Sequence, residues 1–224
     1  MVVTHQTKHM GLDNRQAGNY INIYAGKFCQ RVPEGTAGAT ARKLEKGTNA
    51  GKIVHEKYYD SFTGKLVGIK TTDGAYGRSW VFSFKDGGEV YHLQLSYSNS
   101  FATAFLKMLP NVDLTKEMKV QPSVKEVDGK NKSSLFINQS GQSVKHAYTK
   151  DAPNGLPPMV EITVKGVKVW DDTDRIEFLY QMVMDKIVPK LEGFTGATES
   201  HDDDMAVSSD TVEGQGINPD DIPF

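Results

Sequence analysis

Residues 20–170 of this 224-residue sequence contain a succession of short segments in which apolar and polar residues alternate. Residues 20–24 read YINIY, and a period of two places every second side chain on the same face of a strand. The same pattern predicts strands at 52–59, 65–70, 79–84, 90–97, 119–127, 134–138, 144–149 and 160–170. Short polar segments with glycine separate most of them, as at 61–64, 85–88 and 128–131. Such segments join neighbouring strands as hairpins, so the core is predicted to be mainly antiparallel sheet.

Two segments depart from this period and repeat apolar residues every three to four positions, as an amphipathic helix does. They are 101–109 and 173–190. Ser98 or Asn99 is expected to cap the first helix and Pro110 to end it. Segment 33–51 is rich in Gly, Ala and Thr and is expected to be a mobile basic excursion or a short helix. Together these features predict an all-β to α+β domain in which the strands form a barrel or a sandwich.

Charge is distributed very unevenly along the chain. The whole sequence has 26 Lys and Arg against 28 Asp and Glu, a formal net charge of −2. Residues 192–224 contain nine of the acidic residues and no Lys or Arg, which leaves 26 basic against 19 acidic residues, or +7, in 1–191. We therefore expect one ordered, basic, polyanion-binding domain at 1–191 and a disordered acidic tail at 192–224.

Composition limits the class of protein further. Hydrophobic residues make up 38% of the chain, which is sufficient for one sizeable core. The single cysteine, Cys29, excludes an internal disulfide and a multi-cysteine metal site, and it is typical of a reducing compartment. Residues 1–5 lack the basic start and apolar run of a signal peptide, and no apolar stretch has the length of a membrane span. We therefore expect a cytoplasmic protein.

The last residues of the sequence are INPDDIPF, an acidic segment that is capped by an aromatic residue. Its final five residues closely resemble the acidic tip of bacterial and phage single-stranded DNA-binding proteins. The resemblance implies an OB-fold, a five-stranded Greek-key barrel that binds oligonucleotides, here with extra strands and two helices. It also implies a non-enzymatic protein that coats and protects single-stranded DNA without strong sequence preference. If the protein is phage-encoded, it would act in the cytoplasm of the host bacterium.

The resemblance assigns a second role to the tip, the recruitment of replication, recombination or repair enzymes. The implied partner-binding residues are Asp220, Asp221, Ile222, Pro223 and Phe224. The Phe224 ring would enter an apolar pocket on a partner enzyme, and its α-carboxylate would meet a basic side chain. The sequence departs from the usual bacterial ending at Asn218-Pro219, where more acidic residues are common. The long body and short linker are more typical of phage members of the family.

Binding of single strands without sequence preference requires cations along the phosphates and aromatic faces on which bases stack. If Ile21 and Ile23 point inward, Tyr20 and Tyr24 point outward. By the same alternation Phe136 points outward. Tyr58 and Tyr59 are consecutive on one strand, so only one of them can point outward. The predicted nucleic-acid-binding residues are Tyr20, Tyr24, Lys27, Arg31, Arg42, Lys43, Lys57, Tyr58, Tyr59, Arg78, Trp80, Phe136 and Lys145. Trp80 belongs to an alternating aromatic trio that lines either the core or a groove.

Enzyme-like motifs in the sequence are incomplete, so no catalytic, metal or cofactor site is predicted. Segment 47–53 resembles a phosphate-binding P-loop, but it has one spacer residue too few and Ile53 where Mg²⁺ needs a hydroxyl group. Asp171, Asp172 and Asp174 precede a helix, where carboxylates favour the positive end of the helix dipole.

Two other functions remain open at this point. One is a strand-annealing recombination protein, and the other is an adaptor that binds proteins only. The oligomeric state is open as well. The opposite charges of the two regions predict that the tail lies over the basic surface of the body until nucleic acid displaces it.

Overall fold

The computed structural model describes residues 18–45, 49–74 and 77–191, which form twelve strands and two α-helices. In chain order they are β1 (Asn19–Tyr24), β2 (Lys27–Val32), β3 (Thr40–Lys43), β4 (Ile53–Tyr59), β5 (Phe62–Gly74), β6 (Gly77–Asp86), β7 (Glu89–Ser96), α1 (Ser100–Met108), β8 (Met118–Val127), β9 (Lys130–Gln139), β10 (Gln142–Ser143), β11 (Val160–Val164), β12 (Val167–Asp171) and α2 (Thr173–Lys186). Short 3₁₀ turns, Leu109–Asn111 and Val188–Lys190, follow the two helices. The predicted tail, 192–224, lies outside the described residues.

Ten strands form one sheet in the order β10-β9-β8-β5-β6-β7-β1-β2-β4-β3. All of its pairs are antiparallel except β1 with β7, which is parallel and joins Asn19 to Tyr91. The predominance of sheet with two helices confirms the α+β prediction. In the described part of the chain the ladder ends at β10 and β3, so hydrogen bonds do not close the sheet into a barrel.

The sheet is nevertheless strongly curled. The register between β5 and β6 shifts between Leu66 and Gly68, and a bulge of this kind bends a strand and increases its twist. The curl brings the β1–β2 turn against β8: a Cβ on Gly26 would lie 2.6 Å from the backbone nitrogen of Val124. Strands that are far apart in the ladder therefore touch each other.

The hydrophobic core lies on the inner face of the curled sheet, beneath the two helices. It contains Trp80, Phe82 and Phe84 of β6, all almost completely buried. Phe105 of α1 packs edge-on against Phe82, with ring centroids 4.8 Å apart. Leu179 of α2 belongs to the same cluster and is fully buried. The aromatic trio of β6 is thus part of the core.

The two helices begin where the sequence indicates. Asn99 caps α1, and its side chain accepts hydrogen bonds from the backbone of Phe101 and Ala102. Asp171 accepts one from the backbone of Thr173 at the start of α2. No helix in the described residues has the length and apolar character needed to cross a membrane.

Several predicted elements are wrong. Segment 33–51 contains the edge strand β3 instead of a helix, and 61–64 lies mostly inside β5. Segment 144–149 is not a strand, because its backbone turns toward α1, where Ala147 donates a hydrogen bond to the carbonyl of Lys107. Segment 160–170 is a hairpin, β11 with β12, because Lys165 and Gly166 adopt positive φ angles and reverse the chain.

Candidate nucleic-acid interface

The outer side of β1 to β4 is a polar, aromatic surface on the side of the sheet away from the core. Directly paired residues share a face, and Asn22 pairs with Cys29, Cys29 with Tyr58, and Arg31 with Glu56. We call this surface the tyrosine face. Lys27, at the start of β2, pairs with Tyr24 and belongs to it as well. The tyrosine face consists of Tyr20, Asn22, Tyr24, Lys27, Cys29, Arg31, Arg42, Glu56 and Tyr58. The structure thus brings together six residues of the predicted set, Tyr20, Tyr24, Lys27, Arg31, Arg42 and Tyr58.

Glu56 is the centre of the tyrosine face, and its side chain has no exposed surface. Arg42 donates two hydrogen bonds to the carboxylate, from Nε at 2.8 Å and from a terminal nitrogen at 2.9 Å. The hydroxyl group of Tyr58 donates a third at 2.7 Å, and Nε of Arg31 lies 4.0 Å away. A two-point bond of this kind fixes the plane of the Arg42 guanidinium.

The Arg42 guanidinium also contacts the ring of Tyr24. Its central carbon lies 4.4 Å from the ring centroid, a cation–π distance. The rings of Tyr24 and Tyr58 are tilted neighbours with centroids 6.2 Å apart. Both tyrosines are half-buried. Arg42 therefore connects the buried carboxylate to the Tyr24 ring, and Tyr58 is bonded to the same carboxylate by its hydroxyl group. The side chains of Arg42, Tyr24 and Tyr58 are thus held in place before any ligand arrives.

The pKa values in this cluster keep its charges fixed. Burial acts to raise the pKa of Glu56, but hydrogen bonds from Arg42 and Tyr58 outweigh it and hold the pKa below its ordinary value. The hydrogen bond to Glu56 raises the pKa of Arg42 further above its already high value. Burial and the nearby Glu56 raise the pKa of the Cys29 thiol to about 12, so Cys29 is a protonated, unreactive side chain at neutral pH.

The tyrosine face continues across β7 and β6 through a histidine that sequence reasoning missed. His92 lies beside Tyr20, with ring centroids 5.0 Å apart, and its Nδ1 is 2.9 Å from the hydroxyl group of Ser83. Burial and the nearby Lys70 lower the pKa of His92, which favours the neutral ring. Alternation around the buried Leu93 is the sequence signal that identifies His92 as an outward residue.

Three predicted residues lie on the other side of β3 and β4. Lys57 and Tyr59 alternate with Glu56 and Tyr58, so they face the opposite way. Tyr59 is 43% exposed and its hydroxyl group donates a long hydrogen bond, 3.4 Å, to Gln30. Lys43 pairs with Ile53 on that same side. Of the two consecutive tyrosines, Tyr58 is therefore the one on the tyrosine face.

Lys27 lies beside Tyr24 at the edge of the tyrosine face and forms an exposed ion pair with Asp60 at 3.0 Å. The remaining predicted residues are scattered. Arg78, at the open end of β6, pairs with Asp73 at 3.1 Å. Phe136 is 47% exposed on β9, and Lys145 follows β10, at the other end of the ladder. Strands β9 and β10 do not pair with any of β1 to β4, so Phe136 and Lys145 are not part of the tyrosine face.

Trp80 does not belong to an interface, and the prediction that it faces a groove is wrong. Its side chain has no exposed surface, its ring stacks on Phe82 and Tyr97, and its indole nitrogen donates to the Tyr97 carbonyl at 3.2 Å. The cause is the position of β6 in the middle of the sheet, where the inner face is covered by both helices.

The predicted partner-binding residues, Asp220 to Phe224, lie outside the described residues. In the part of the chain that the structure describes, no three His, Cys, Asp or Glu side chains are arranged to hold a metal ion. Comparison with known proteins adds no relative: no family model matches the chain, and no curated protein or solved structure is similar to it.

Proposed function

We propose that this protein binds single-stranded DNA on the tyrosine face, without strong sequence preference and without catalysis. The observation that supports the proposal is the cluster in which the buried Glu56 binds Arg42 and the Tyr58 hydroxyl group, while Arg42 lies over the Tyr24 ring. Sequence-independent binding uses aromatic rings for the bases and cations for the phosphates, and this cluster offers both within one small surface.

The fixed geometry of the cluster favours binding. A flexible arginine loses side-chain freedom when it contacts a phosphate, whereas Arg42 is already held by two hydrogen bonds and a ring. Arg31, on the neighbouring strand, adds a second cation. Each base that stacks on an aromatic ring contributes about 1–3 kcal/mol, so Tyr20, Tyr24 and Tyr58 would contribute most of the base contacts.

The fold proposed for this function is an elaborated OB-type domain at 1–191. An OB-fold is a partly open barrel, and the contact of the β1–β2 turn with β8 supports a sheet that curls toward that shape without closing. In this proposal the outer surface of the curled sheet is the nucleic-acid side.

The acidic segment 192–224 is proposed to act as a second functional unit. Its last residues, DDIPF, combine two carboxylates with apolar side chains, which suits a basic-rimmed apolar pocket on a replication, recombination or repair enzyme. The protein would thereby bring such enzymes to the strand that it covers, in the cytoplasm.

Fluorescence anisotropy with labelled oligo(dT), duplex DNA and RNA of equal length tests the proposal. We expect the tightest binding to oligo(dT), with a steep dependence on salt. Tyr24→Ala should weaken this binding about 5- to 150-fold, which corresponds to about 1–3 kcal/mol for one stacked base. Tyr59→Ala is the matched control, because the same residue type is removed from the opposite side of the sheet.

Three results would contradict the proposal. They are preference for duplex DNA, equal effects of Tyr24→Ala and Tyr59→Ala, and the absence of any nucleic-acid binding, which would favour the protein-binding adaptor. Thermal melts of both variants separate loss of contact from loss of folding. Mixing complementary strands with the protein and following duplex formation tests the strand-annealing alternative.

A further inference from the structure

The hairpin β11–β12 is a separate two-stranded sheet at the edge of the body. The hydrophobic core, as far as the structure describes it, includes no residue from 160 to 171. The hairpin is joined to the body at its base, where Asp171 accepts hydrogen bonds from Thr173 of α2 and Arg175 donates one to the Pro157 carbonyl. Five residues per strand give it a length of about 17 Å.

One face of this hairpin is entirely aliphatic along most of its length. Ile162 pairs with Val169 and Val164 with Val167, so these four side chains and Val160 point the same way. Val167 is 63% exposed and Val160 is 53% exposed. The other face is mainly polar: it carries Thr163 and an ion pair of 2.6 Å between Lys168 and Glu161, with Trp170 near the base of the hairpin.

This aliphatic face is the main apolar surface that the described residues leave open. Four of their eight exposed large hydrophobic side chains belong to it, whereas the others are distributed over β4, β8 and β9. An isolated two-stranded hairpin is marginally stable in water, and contiguous exposed apolar surface marks an interaction site. The face therefore requires a partner that presents an equally apolar surface.

We infer that this partner is a second copy of the same hairpin, which packs face to face and antiparallel across a two-fold axis. The charge distribution along the hairpin supports this orientation. Lys165 lies at the tip, whereas Asp171 and Asp172 lie at the base. In an antiparallel pair each basic tip meets the acidic base of the other copy, and a two-fold axis makes both contacts at once.

The size of the face limits the strength of the association. Five side chains per copy are far fewer than the roughly 20–30 residues per partner of a standard interface, so the dimer is weak and forms only at high protein concentration. Ile162 and Val169, in the middle of the face, lie nearest the two-fold axis.

Sedimentation velocity of the full chain without nucleic acid tests this inference independently of the proposed function. The sedimentation coefficient should rise with concentration toward that of a dimer. Ile162→Lys should weaken dimerisation at least about tenfold, since it places a charge in the apolar contact. Thr163→Lys is the matched control, because the same charge is added one residue away on the polar face, and it should dimerise like the wild type.

Disulfide trapping provides a second measurement. Ile162→Cys should form a covalent dimer under mild oxidation, whereas Thr163→Cys should not, and the native Cys29 does not interfere because it is buried. A wild-type monomer throughout the accessible concentration range would overturn the inference. So would equal effects of the two lysine substitutions, or growth beyond a dimer, which would indicate head-to-tail assembly.

Discussion

The side chain of Glu56 has no solvent-exposed surface, and Arg42, Tyr58 and Arg31 surround its carboxylate. Removal of one partner from a buried ion pair leaves the other charge without compensation. We expect Glu56→Gln to lower the free energy of unfolding by about 3–5 kcal/mol in urea denaturation at neutral pH. Glu161→Gln, which breaks an exposed pair with Lys168, should cost only about 0–1 kcal/mol. Equal costs would show that the Glu56 network does not stabilise the fold.

The same network predicts a pH dependence. Burial opposes ionisation of Glu56, but Arg42 and Tyr58 outweigh it, so the folded-state pKa lies below the ordinary value of 4.5. The stabilisation is therefore complete above pH 4.5 and is lost as the pH falls through the lower, folded-state pKa. Wild-type stability should drop in this range more steeply than that of Glu56→Gln. Parallel curves for the two proteins would contradict the assignment.

His146 gives a separate prediction in a higher pH range. Burial and the nearby Lys107 lower its pKa from 6.5 to about 4, and its Nδ1 is buried without a hydrogen-bond partner. Because the unfolded chain binds the proton more readily, the free energy of unfolding should fall between pH 6.5 and about 4. His146→Asn should flatten the stability curve in this window, as measured by urea denaturation at several pH values. If His146→Asn leaves the pH dependence of the free energy of unfolding unchanged, His146 binds its proton equally well in the folded and the unfolded protein.

At the scale of elements, the turn between β1 and β2 allows a matched pair of substitutions. Gly26 and Gly129 both have positive φ angles, +76° and +73°, but only Gly26 touches another strand. Gly129→Ala should cost about 1–2 kcal/mol, the price of a left-handed conformation in a residue with a Cβ atom. Gly26→Ala should cost clearly more, because its Cβ would meet the Val124 backbone at 2.6 Å. If chemical denaturation gives equal losses in the free energy of unfolding for the two variants, β8 moves away from the new Cβ atom at no energetic cost.

The elements that the sequence predicts well are those with one buried face. Strands β1 and β7 alternate around buried Ile21, Leu93 and Leu95, and both helices begin near the expected residues. Strand β6 alternates in sequence although both of its faces are buried. Strand β2 is not identifiable in this way, because Phe28 and Cys29 are both buried and the alternation disappears. Strand β3 has only four residues, and its composition does not indicate a strand. It is a strand because it pairs with β4 at the edge of the sheet.

The candidate interface was predictable only in part. Alternation is sufficient to place Tyr20 and Tyr24 on one face. Glu56 was not identifiable as their neighbour, because its contact with Arg42 depends on the pairing of β3 with β4. Alternation alone leaves Trp80 in either the core or a groove, because it defines two faces of β6 without indicating which one the helices cover.

At the scale of the whole molecule, the opposite charges of 1–191 and 192–224 predict competition between the acidic segment and DNA. Deletion of 192–224 should tighten binding of oligo(dT), most clearly at low salt, because screening weakens the attraction between the two regions. A full-length variant in which the nine acidic residues of this segment become Asn or Gln should behave like the deletion. Unchanged or weaker binding by both proteins in anisotropy titrations would exclude the competition.

The parallel pairing of β1 with β7 has a consequence for the order of folding. Asn19 pairs with Tyr91 across a long stretch of chain, whereas β5, β6 and β7 are close neighbours in the sequence and pair in that order. Closure of a long loop costs entropy before its contacts form, so local hairpins are favoured to assemble first. The tyrosine face, whose first strand is held by this distant pair, would then be completed late, and its amides would exchange with solvent sooner than those of β5 to β7.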